Sequence, residues 1–423
     1  MTDMPKEWRR GWQTVFSGFA GVVFMTAVPT VTGLVMAPLM AQFGWSRTVI
    51  TANVLICSIF SLALAPILGS LIARFGVRRC ALVAITAAAP ALCLIALAGG
   101  SPLTWIAAWT LFAIVNVGIS PLVWTSAVAA SFDRARGMAL AVTLSGSGLA
   151  YFLFPPLAVA VLERFDWRAV YLTIAAMMVV LLLPVVYALF CRSRADEAPS
   201  QRSTAGREPV VADGFTLQEA LRSRQFWQFI TVAALMALAE GALQVHLFPI
   251  LQEGGLAAAS AAWAASLMGI AMIAGRILAG FIQDRLPPLP VFGFSILVVL
   301  LSCVLLRFFT GQVQLAVAAS VCLGLGTGGT TIGLANLTSR YFGLLAYPSI
   351  YGLLMGGFSL GYGVAPVVAG HLRETTTSYL PIFDWLAVAL VTAAILAVLL
   401  GKPRYAAPAR TVGAKLSSST ARR

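Results

Sequence analysis

Long apolar runs separated by short polar stretches make up most of the chain. Twelve runs have about 20 residues or more, the length that a helix needs to cross a hydrocarbon core about 30 Å thick. Six precede a polar stretch at 191–225 and six follow it. This pattern predicts an all-α integral membrane protein with twelve transmembrane helices. Their predicted limits are 13–40, 47–72, 80–99, 103–130, 138–162, 168–190, 226–251, 258–283, 289–309, 312–337, 348–371 and 380–401.

The two halves of the chain repeat each other. Gly69 recurs as Gly280, 211 residues later, and Arg74 recurs at the same spacing as Arg285. A repeat of this period indicates two six-helix bundles related by pseudo-symmetry, which secondary transporters use to place a binding site at mid-membrane between moving halves. We therefore predict an N-terminal bundle, a cytoplasmic linker, a C-terminal bundle and a disordered cytoplasmic tail, at 1–190, 191–225, 226–401 and 402–423.

The linker contains one predicted helix. Thr216 and Glu219 have the spacing of a capping box, in which each side chain bonds the backbone amide of the other residue. A short helix beginning there would carry Leu217, Ala220 and Leu221 on one side. We expect this helix to lie at the inner membrane surface.

Composition supports a membrane protein and argues against several soluble functions. Apolar residues make up 60% of the chain and charged residues 10%, with a mean hydropathy of +0.90, whereas soluble domains are about 25% charged. The sequence has no Gly-rich phosphate loop and no Cys/His metal spacing, and its six cysteines form no close pair. We therefore expect no enzyme activity, no cofactor and no metal ion.

The positive charges sort by side of the membrane. The net charge is +13, and 22 of the 28 Lys and Arg residues fall in segments on the side of the N-terminus, against five on the other side. The positive-inside rule then places both termini in the cytoplasm, at the bacterial inner membrane. Because the charges follow the membrane, we expect lipid and no nucleic acid around the protein. We also expect the functional unit to be a monomer.

Two loop motifs resemble those of the major facilitator superfamily. A Gly-x-x-x-Asp-Arg segment lies between the eighth and ninth spans, and its counterpart lies between the second and third. The resemblance covers about 11–401 and implies the major facilitator fold. Ala73 occupies the acidic position of the first copy, so the charge relay implied by the resemblance would depend on Asp284 and Arg285. The residues assigned to this gating motif are Gly69, Arg74, Gly76, Gly280, Asp284 and Arg285.

Five further segments narrow the resemblance to the monocarboxylate transporter and oxalate/formate antiporter branch, which moves small organic anions. The resemblance implies a secondary active symporter that carries a small organic anion, expected to be a monocarboxylate, together with protons by alternating access. The segments are Phe43-Gly-Trp-Ser-Arg47, 134–140, Trp167-Arg168, His246-Leu-Phe-Pro249 and Gly275-Arg276.

The chain departs from that branch at functional positions. Monocarboxylate transporters carry a lysine in the first span and an aspartate in the eighth, where this chain has Thr30 and Met272. The usual proton-coupling pair is therefore missing. Oxalate-type relatives also place a second cation in the eleventh span, whereas 348–370 holds no Lys or Arg here. A single fixed positive charge suits a monoanion.

Arg276 is the cation that falls inside a predicted span. It precedes Asp284 by eight residues, so at 1.5 Å per residue it lies roughly 12 Å from the inner boundary. A guanidinium at that depth costs at least about 2.5 kcal/mol, and its planar fork can bind a carboxylate through two hydrogen bonds. We predict that Arg276 binds the substrate; the alternative is pairing with helix-end carbonyls or a neighbouring acid. The predicted substrate site consists of Arg276, His246, Asn116, Tyr351 and Thr30.

Glu240 and His246 are the titratable candidates in the seventh span. Histidine changes charge near physiological pH, and a desolvated carboxylate can also take up a proton there. Pairing with Arg276 is the alternative for Glu240, and a structural role near the kink at Pro249 is the alternative for His246. We predict that one of the two carries the coupled proton.

Two other functions remain open from the sequence. A drug or metabolite exporter of the same superfamily would have an acidic, aromatic cavity without a central cation, and Arg276 opposes that alternative. A non-transporting membrane sensor would carry a signalling domain, which the short loops do not supply. A binding screen against carboxylates would separate the three functions.

Overall fold

The chain is almost entirely helical. The computed structural model describes residues 4–132, 135–190, 214–283, 285–343 and 345–401. Within them the α-helices are α1 (Met4–Phe43), α2 (Arg47–Phe75), α3 (Val77–Ala96), α4 (Pro102–Asn116), α5 (Pro121–Ser131), α6 (Arg136–Leu144), α7 (Gly146–Leu162), α8 (Trp167–Met177), α9 (Leu183–Leu189), α10 (Leu217–Arg222), α11 (Arg224–Glu253), α12 (Ala258–Gln283), α13 (Pro288–Arg307), α14 (Val313–Phe342), α15 (Tyr347–Thr376) and α16 (Leu380–Val398).

Among the described residues, twelve helical segments are long and apolar enough to cross a membrane, which confirms the predicted number and order. Nine are single helices, and the fourth, fifth and sixth are the pairs α4–α5, α6–α7 and α8–α9. The fourth span is interrupted by a 3-10 turn at Val117–Ile119, followed by Pro121. Proline has no backbone N–H to continue the α-helical ladder, so the helix restarts there. The fifth span is interrupted at Ser145.

The predicted capping box is present at the start of α10. The backbone N–H of Glu219 donates to Thr216 Oγ1 at 3.3 Å, and the backbone N–H of Thr216 donates to Glu219 Oε2 at 2.8 Å. The hydrogen bonds from Thr216 hold the pKa of the Glu219 carboxyl below its usual value. The backbone N–H of Phe215 also donates to Phe342 O, which ties this helix to the C-terminal half. The remainder of the predicted linker, 191–213, and the tail, 402–423, lie outside the described residues.

The contacts between the two halves follow the repeat: the contact of the second span with the eleventh corresponds to that of the eighth with the fifth, and the first span meets its own counterpart, the seventh. Helix α2 packs against α15, α7 against α12, and α1 against α11. At the first of these contacts Gly370 lies against Arg47, and further along Gly356 lies against Leu62. About one turn beyond, Gly352 faces open space. The halves therefore separate toward the face on which α1 begins, which we call the N-terminal face; the opposite, closed face is the distal face.

Glycines allow the closest helix contacts, because small residues let helix backbones approach each other in lipid. Gly148 of α7 and Gly269 of α12 lie backbone to backbone, so a side chain on either would collide with the other half. Gly324 and Gly328 of α14 are pressed in the same way against the backbone of α12. Their spacing brings α12 and α14 together as one unit within the C-terminal half.

Candidate functional site

A cavity of about 350 Å³ lies between the two halves, midway along the helices. This volume is at the small end of the range for small-molecule sites, about 300–1,000 Å³. Helices α1, α2, α4 and α7 form one wall, and α11, α12, α14 and α15 form the other. The two charged residues in these walls are Arg276 and Glu240, both from the C-terminal half.

Arg276 reaches across the cavity from α12 to the opposite half. Its side chain is buried, with 8% of the residue exposed. Nη1 donates to the carbonyl oxygen of Leu144, and Nη2 contacts the sulfur of Met272 at 3.6 Å. Nε is buried and has no hydrogen-bond partner among the described residues. The guanidinium is therefore incompletely hydrogen-bonded in this structure. Leaving a buried donor without a partner costs about 1–3 kcal/mol.

The interruption of the fifth span provides the carbonyl that Arg276 binds. Leu144 is the last residue of α6, and α7 begins at Gly146. A carbonyl at a helix end lacks an intrahelical partner, so it is free to accept from other groups. The hydroxyl of Ser147 donates to the same oxygen at 3.0 Å. One nitrogen of Arg276 thus pairs with a helix-end carbonyl, which is the alternative to substrate binding that the sequence left open.

Glu240 lies on α11 in the same wall and is 1% exposed. The hydroxyl of Thr330 donates to Glu240 Oε1 at 2.7 Å. A buried carboxylate beside a buried guanidinium in one small cavity makes the charge of the site depend on whether Glu240 holds a proton. With Glu240 ionised the two charges cancel, and with Glu240 protonated the cavity carries one positive charge.

A chain of polar side chains crosses from one half to the other beside these charges. The hydroxyls of Tyr151 and Tyr362 are 3.0 Å apart, and Tyr362 Oη donates to Gln244 Oε1 at 3.1 Å. Gln244 Nε2 donates in turn to Thr327 Oγ1 at 3.4 Å. The two tyrosines are 211 residues apart, the same spacing as Gly69 and Gly280. Applying that repeat to the polar residues of the spans would have identified this pair, which sequence reasoning missed.

The structure brings together only part of the predicted substrate site. Asn116 lines the cavity with Arg276, and its Oδ1 is buried without a partner among the described residues. Thr30 and Tyr351 are not among the lining residues. The Thr30 hydroxyl donates to Thr26 O at 2.7 Å, and the Tyr351 ring stacks on Tyr347 with 5.5 Å between centroids. Tyr351 is turned to a partner on its own helix and does not line the cavity, which corrects its predicted placement. The Thr30 hydroxyl also interacts with Tyr151, which lines the cavity, so its place in the substrate site stays a prediction.

His246 also lies outside the cavity wall, nearer the distal face. Both ring nitrogens are 3.0 Å from an oxygen: Nδ1 from Tyr379 Oη, and Nε2 from the carbonyl of Pro366. A carbonyl can only accept, so Nε2 carries a proton. Burial raises the pKa of Tyr379, which lies between α15 and α16, so its phenol keeps a proton to donate to Nδ1. The structural alternative for His246 fits these contacts, and its predicted place in the substrate site does not.

The gating-motif residues that the structure describes lie at the N-terminal face. Gly69 and Gly280 face open space. Gly76, with φ of +82°, joins α2 to α3 in a conformation that favours glycine. The guanidinium groups of Arg74 and Arg285 lie over the rings of Phe75 and Phe281, at 5.2 Å and 4.1 Å from the ring centroids. Asp284 lies outside the described residues, so the charge relay predicted for it stays a prediction.

The sequence matches known transporters over most of its length. The profile of the Major Facilitator Superfamily matches residues 14–257 and 242–421. The uncharacterized MFS-type transporter YhjX of Escherichia coli (strain K12) is 24% identical over 308 residues, which cover 72% of this chain and 74% of YhjX. Monocarboxylate transporter 13 of Bos taurus is 26% identical over 255 residues, covering 59% of this chain and 56% of that protein. The chain thus spans just over half the length of the bovine protein.

The fold is shared with solved structures. A crystal structure of a bacterial homologue of the human lysosomal transporter Spinster, in an inward-facing and occupied conformation, superimposes with a TM-score of 0.67 at 15% sequence identity. The match covers 92% of this chain and 95% of that one. At this identity the likeness concerns the fold alone. The profile match, together with the twelve spans and this shared fold, establishes that the chain belongs to the Major Facilitator Superfamily, as an integral membrane transporter and not an enzyme.

Proposed function

We propose that the protein is a secondary active transporter for a small organic anion, a monocarboxylate, which it carries by alternating access with proton coupling. The observation that carries this proposal is the buried guanidinium of Arg276, which lines the cavity between the halves and leaves Nε without a partner. Intramembrane ionisable residues are costly and commonly mark substrate or ion pathways.

The free donors of Arg276 suit a carboxylate. Nη1 is occupied by Leu144 O, which leaves Nε and Nη2 on one edge of the guanidinium. Two parallel N–H groups on that edge match the two oxygens of a carboxylate, with the sulfur of Met272 as the weak contact to be displaced. Substrate binding would then satisfy the nitrogen that is now unpaired. One fixed cation in the wall favours a monoanion over a dianion.

Glu240 is the proposed proton carrier. When it is ionised, it offsets the charge of Arg276 and competes electrostatically with the anion. When it is protonated, the cavity attracts an anion, so proton and substrate each strengthen binding of the other by the same factor. A carboxylate moving alone against an inside-negative potential is opposed by about 2.3 kcal/mol per 100 mV, which the coupled proton removes.

The relatives and the charge distribution support the rest of the assignment. Relatives at 26% identity are named monocarboxylate transporters, which supports a carboxylate substrate. Arg74, Arg79, Arg285 and Arg340 all lie at or near the ends of helices on the N-terminal face, so we place that face in the cytoplasm and the protein in a bacterial inner membrane. We propose that lipid surrounds the protein and that a single copy transports.

A drug or metabolite exporter is the second candidate. Trp109, Phe112 and Phe358 line the cavity together with Glu240, which gives it the aromatic and acidic character that such a substrate would need. Cations bind over aromatic faces and beside carboxylates. Arg276 in the same wall repels a cation, which favours the anion.

A calorimetric binding screen tests the proposal. Purified protein is titrated at pH 6 with monocarboxylates of about one to five carbons, with dicarboxylates of about two to five carbons, and with small organic cations. We expect a monocarboxylate to bind tightest. Arg276→Ala should weaken its binding by about tenfold to a hundredfold, since hydrogen bonds to charged groups contribute about 1.5–3 kcal/mol. Arg276→Lys should recover little because the fork is lost.

Arg307→Lys provides the matched control, because Arg307 pairs with Asp384 at the surface of the same half. It should bind like the unsubstituted protein. Unchanged affinity in Arg276→Ala would remove the residue from the site, tighter binding of dicarboxylates would overturn the monoanion assignment, and binding of organic cations alone would favour the exporter.

A further inference from the structure

One arginine of the N-terminal half holds the distal face against the C-terminal half. Arg47, the first residue of α2, donates from Nη2 to Glu253 Oε1 at 2.7 Å, at the end of α11. Its Nη1 donates to Tyr379 Oη at 3.0 Å. Its backbone N–H donates to the carboxylate of Glu374, at the end of α15. Three groups of one half thus converge on a single residue of the other.

Two partners of Arg47, Glu253 and Tyr379, are also bonded within the C-terminal half. Glu253 accepts from Arg373 through its other oxygen, at 2.8 Å. Tyr379 is bonded to His246, which is held in turn by the carbonyl of Pro366. All of these residues belong to the C-terminal half. If the halves separated at this face, Glu253 would keep a cation and Tyr379 would keep a hydrogen-bond partner, while Arg47 would pass into water.

The other arginines near the distal face make different connections. Arg168 donates to Gln42 and Asp166, which belong to its own half. Arg307 pairs with Asp384 within the C-terminal half. Arg47 thus connects the two halves, whereas Arg168 and Arg307 pair within their own halves. Arg47 is 15% exposed at its side chain, less than Arg168 at 30% or Arg307 at 36%, so its ion pair is the least screened of the three.

We propose that Arg47 is a positioning residue for transport: it is the releasable half of a latch whose receiving half, Glu253 with Arg373 and Tyr379 with His246, is preassembled on the other bundle. Closing the distal face inserts Arg47 between Glu253 and Tyr379. Opening it withdraws the Arg47 side chain, breaks the hydrogen bonds of Thr48 to Glu374 and of Thr51 to the carbonyl of Pro366, and leaves no buried charge unpaired in the receiving half. The latch therefore sets the balance between the conformation seen here and one open at the distal face, without contacting the substrate.

Cys57 offers a native reporter for that balance. It lies on α2, lines the cavity and is ten residues from Arg47, about 15 Å along the helix. On the distal side of Cys57, the contact of α2 with α15 at Gly370 and the bonds of Arg47 separate the thiol from the distal face; on the other side the contact continues past Cys57 to Leu62 at Gly356 and is absent at Gly352. A thiol reagent that cannot cross membranes should therefore reach Cys57 from the N-terminal face and not from the distal face.

The experiment measures modification of Cys57 by such a reagent in vesicles of both orientations, by mass spectrometry of the peptide that contains it. Arg47→Ala should raise the rate from the distal side by about three- to tenfold and lower the rate from the N-terminal side, because losing the latch shifts a two-state balance. Arg168→Ala is the matched control and should leave both rates unchanged. The readout needs no substrate, so its failure would not bear on the carboxylate proposal.

Two outcomes overturn the latch. Unchanged rates from both sides in Arg47→Ala would show that the ion pair does not hold the face closed. A rise from both sides would indicate a loosened structure instead of a shifted balance. Arg373→Ala separates these effects further: it removes a partner of Glu253 but keeps Arg47, so distal opening should increase less than in Arg47→Ala. Equal opening in the two variants would contradict the special role of Arg47.

Discussion

At the scale of single residues, Met272 bears on whether the guanidinium of Arg276 is available to the proposed substrate. It occupies the position where monocarboxylate transporters carry an aspartate, one helical turn before the arginine. Here a neutral thioether contacts the guanidinium at 3.6 Å and also accepts a hydrogen bond from Ser147. A carboxylate at this distance would neutralise the charge that we assign to the substrate. In the proposed mechanism the cation is therefore free for the substrate, and the acidic role belongs to Glu240 on α11.

Met272→Asp should reverse that arrangement. The new carboxylate would pair with Arg276, so affinity for the monocarboxylate at pH 7.5 should fall by about tenfold or more. Pairing with Arg276 favours the ionised aspartate, so the loss of affinity relative to a neutral residue at this position should persist at pH 5. Met272→Leu conserves volume without charge and should bind within a few fold of the unsubstituted protein. Calorimetry at both pH values measures the effect, and equal affinities in Asp and Leu variants would contradict it.

Glu240→Gln tests the proton carrier. Uptake into vesicles should rise as the outside pH falls from about 7.5 to about 5.5, since protonated Glu240 no longer competes with the anion. The glutamine variant should lose this dependence and still exchange labelled for unlabelled substrate. Glu163→Gln is the control, because Glu163 is exposed at the end of α7. A pH profile that survives in Glu240→Gln would move proton carriage away from Glu240.

At the scale of helices, the sequence predicted what depends on local pattern. Apolar length located the twelve spans, and the Thr216–Glu219 spacing located α10, because both signals are contained in a few consecutive residues. The interruption of the fifth span at Ser145 begins a Ser-Gly-Ser-Gly run at 145–148, a composition that can kink a helix but also packs inside unbroken spans. The carbonyl of Leu144 could not be assigned to Arg276 without that interruption. Likewise His246 and Tyr351 carry suitable chemistry, but only packing shows which way they point.

Glycine substitutions test the packing of α12 on α14. Gly324 lies against the backbone of α12, whereas Gly280 on α12 faces open space. Gly324→Ala should lower the melting temperature of the purified protein, because overpacking a tight contact costs about 1–3 kcal/mol. Gly280→Ala should leave it unchanged or raise it slightly, since alanine favours the helix by up to about 1 kcal/mol. A similar shift in both variants would contradict the close contact.

At the scale of the whole molecule, the 211-residue repeat predicted two bundles and, through them, a site between them. It did not predict which face is closed, because that depends on contacts such as Arg47 with Glu253 that have no counterpart in the repeat. The cavity, the cross-bundle bond of Arg276 and the meeting of Tyr151 with Tyr362 all lie where the halves approach each other. A conformational change that closed the N-terminal face and opened the distal face would change all three together.

Uptake by purified protein in liposomes tests the central claim most directly. The monocarboxylate that binds tightest is supplied outside in labelled form, with an inward proton gradient. The unsubstituted protein should accumulate it above the outside concentration, and dissipating the gradient should reduce uptake to equilibration. Arg276→Lys, reconstituted to the same level, should transport at less than about a tenth of that rate. Equal accumulation by Arg276→Lys, or accumulation that ignores the proton gradient, would contradict the account.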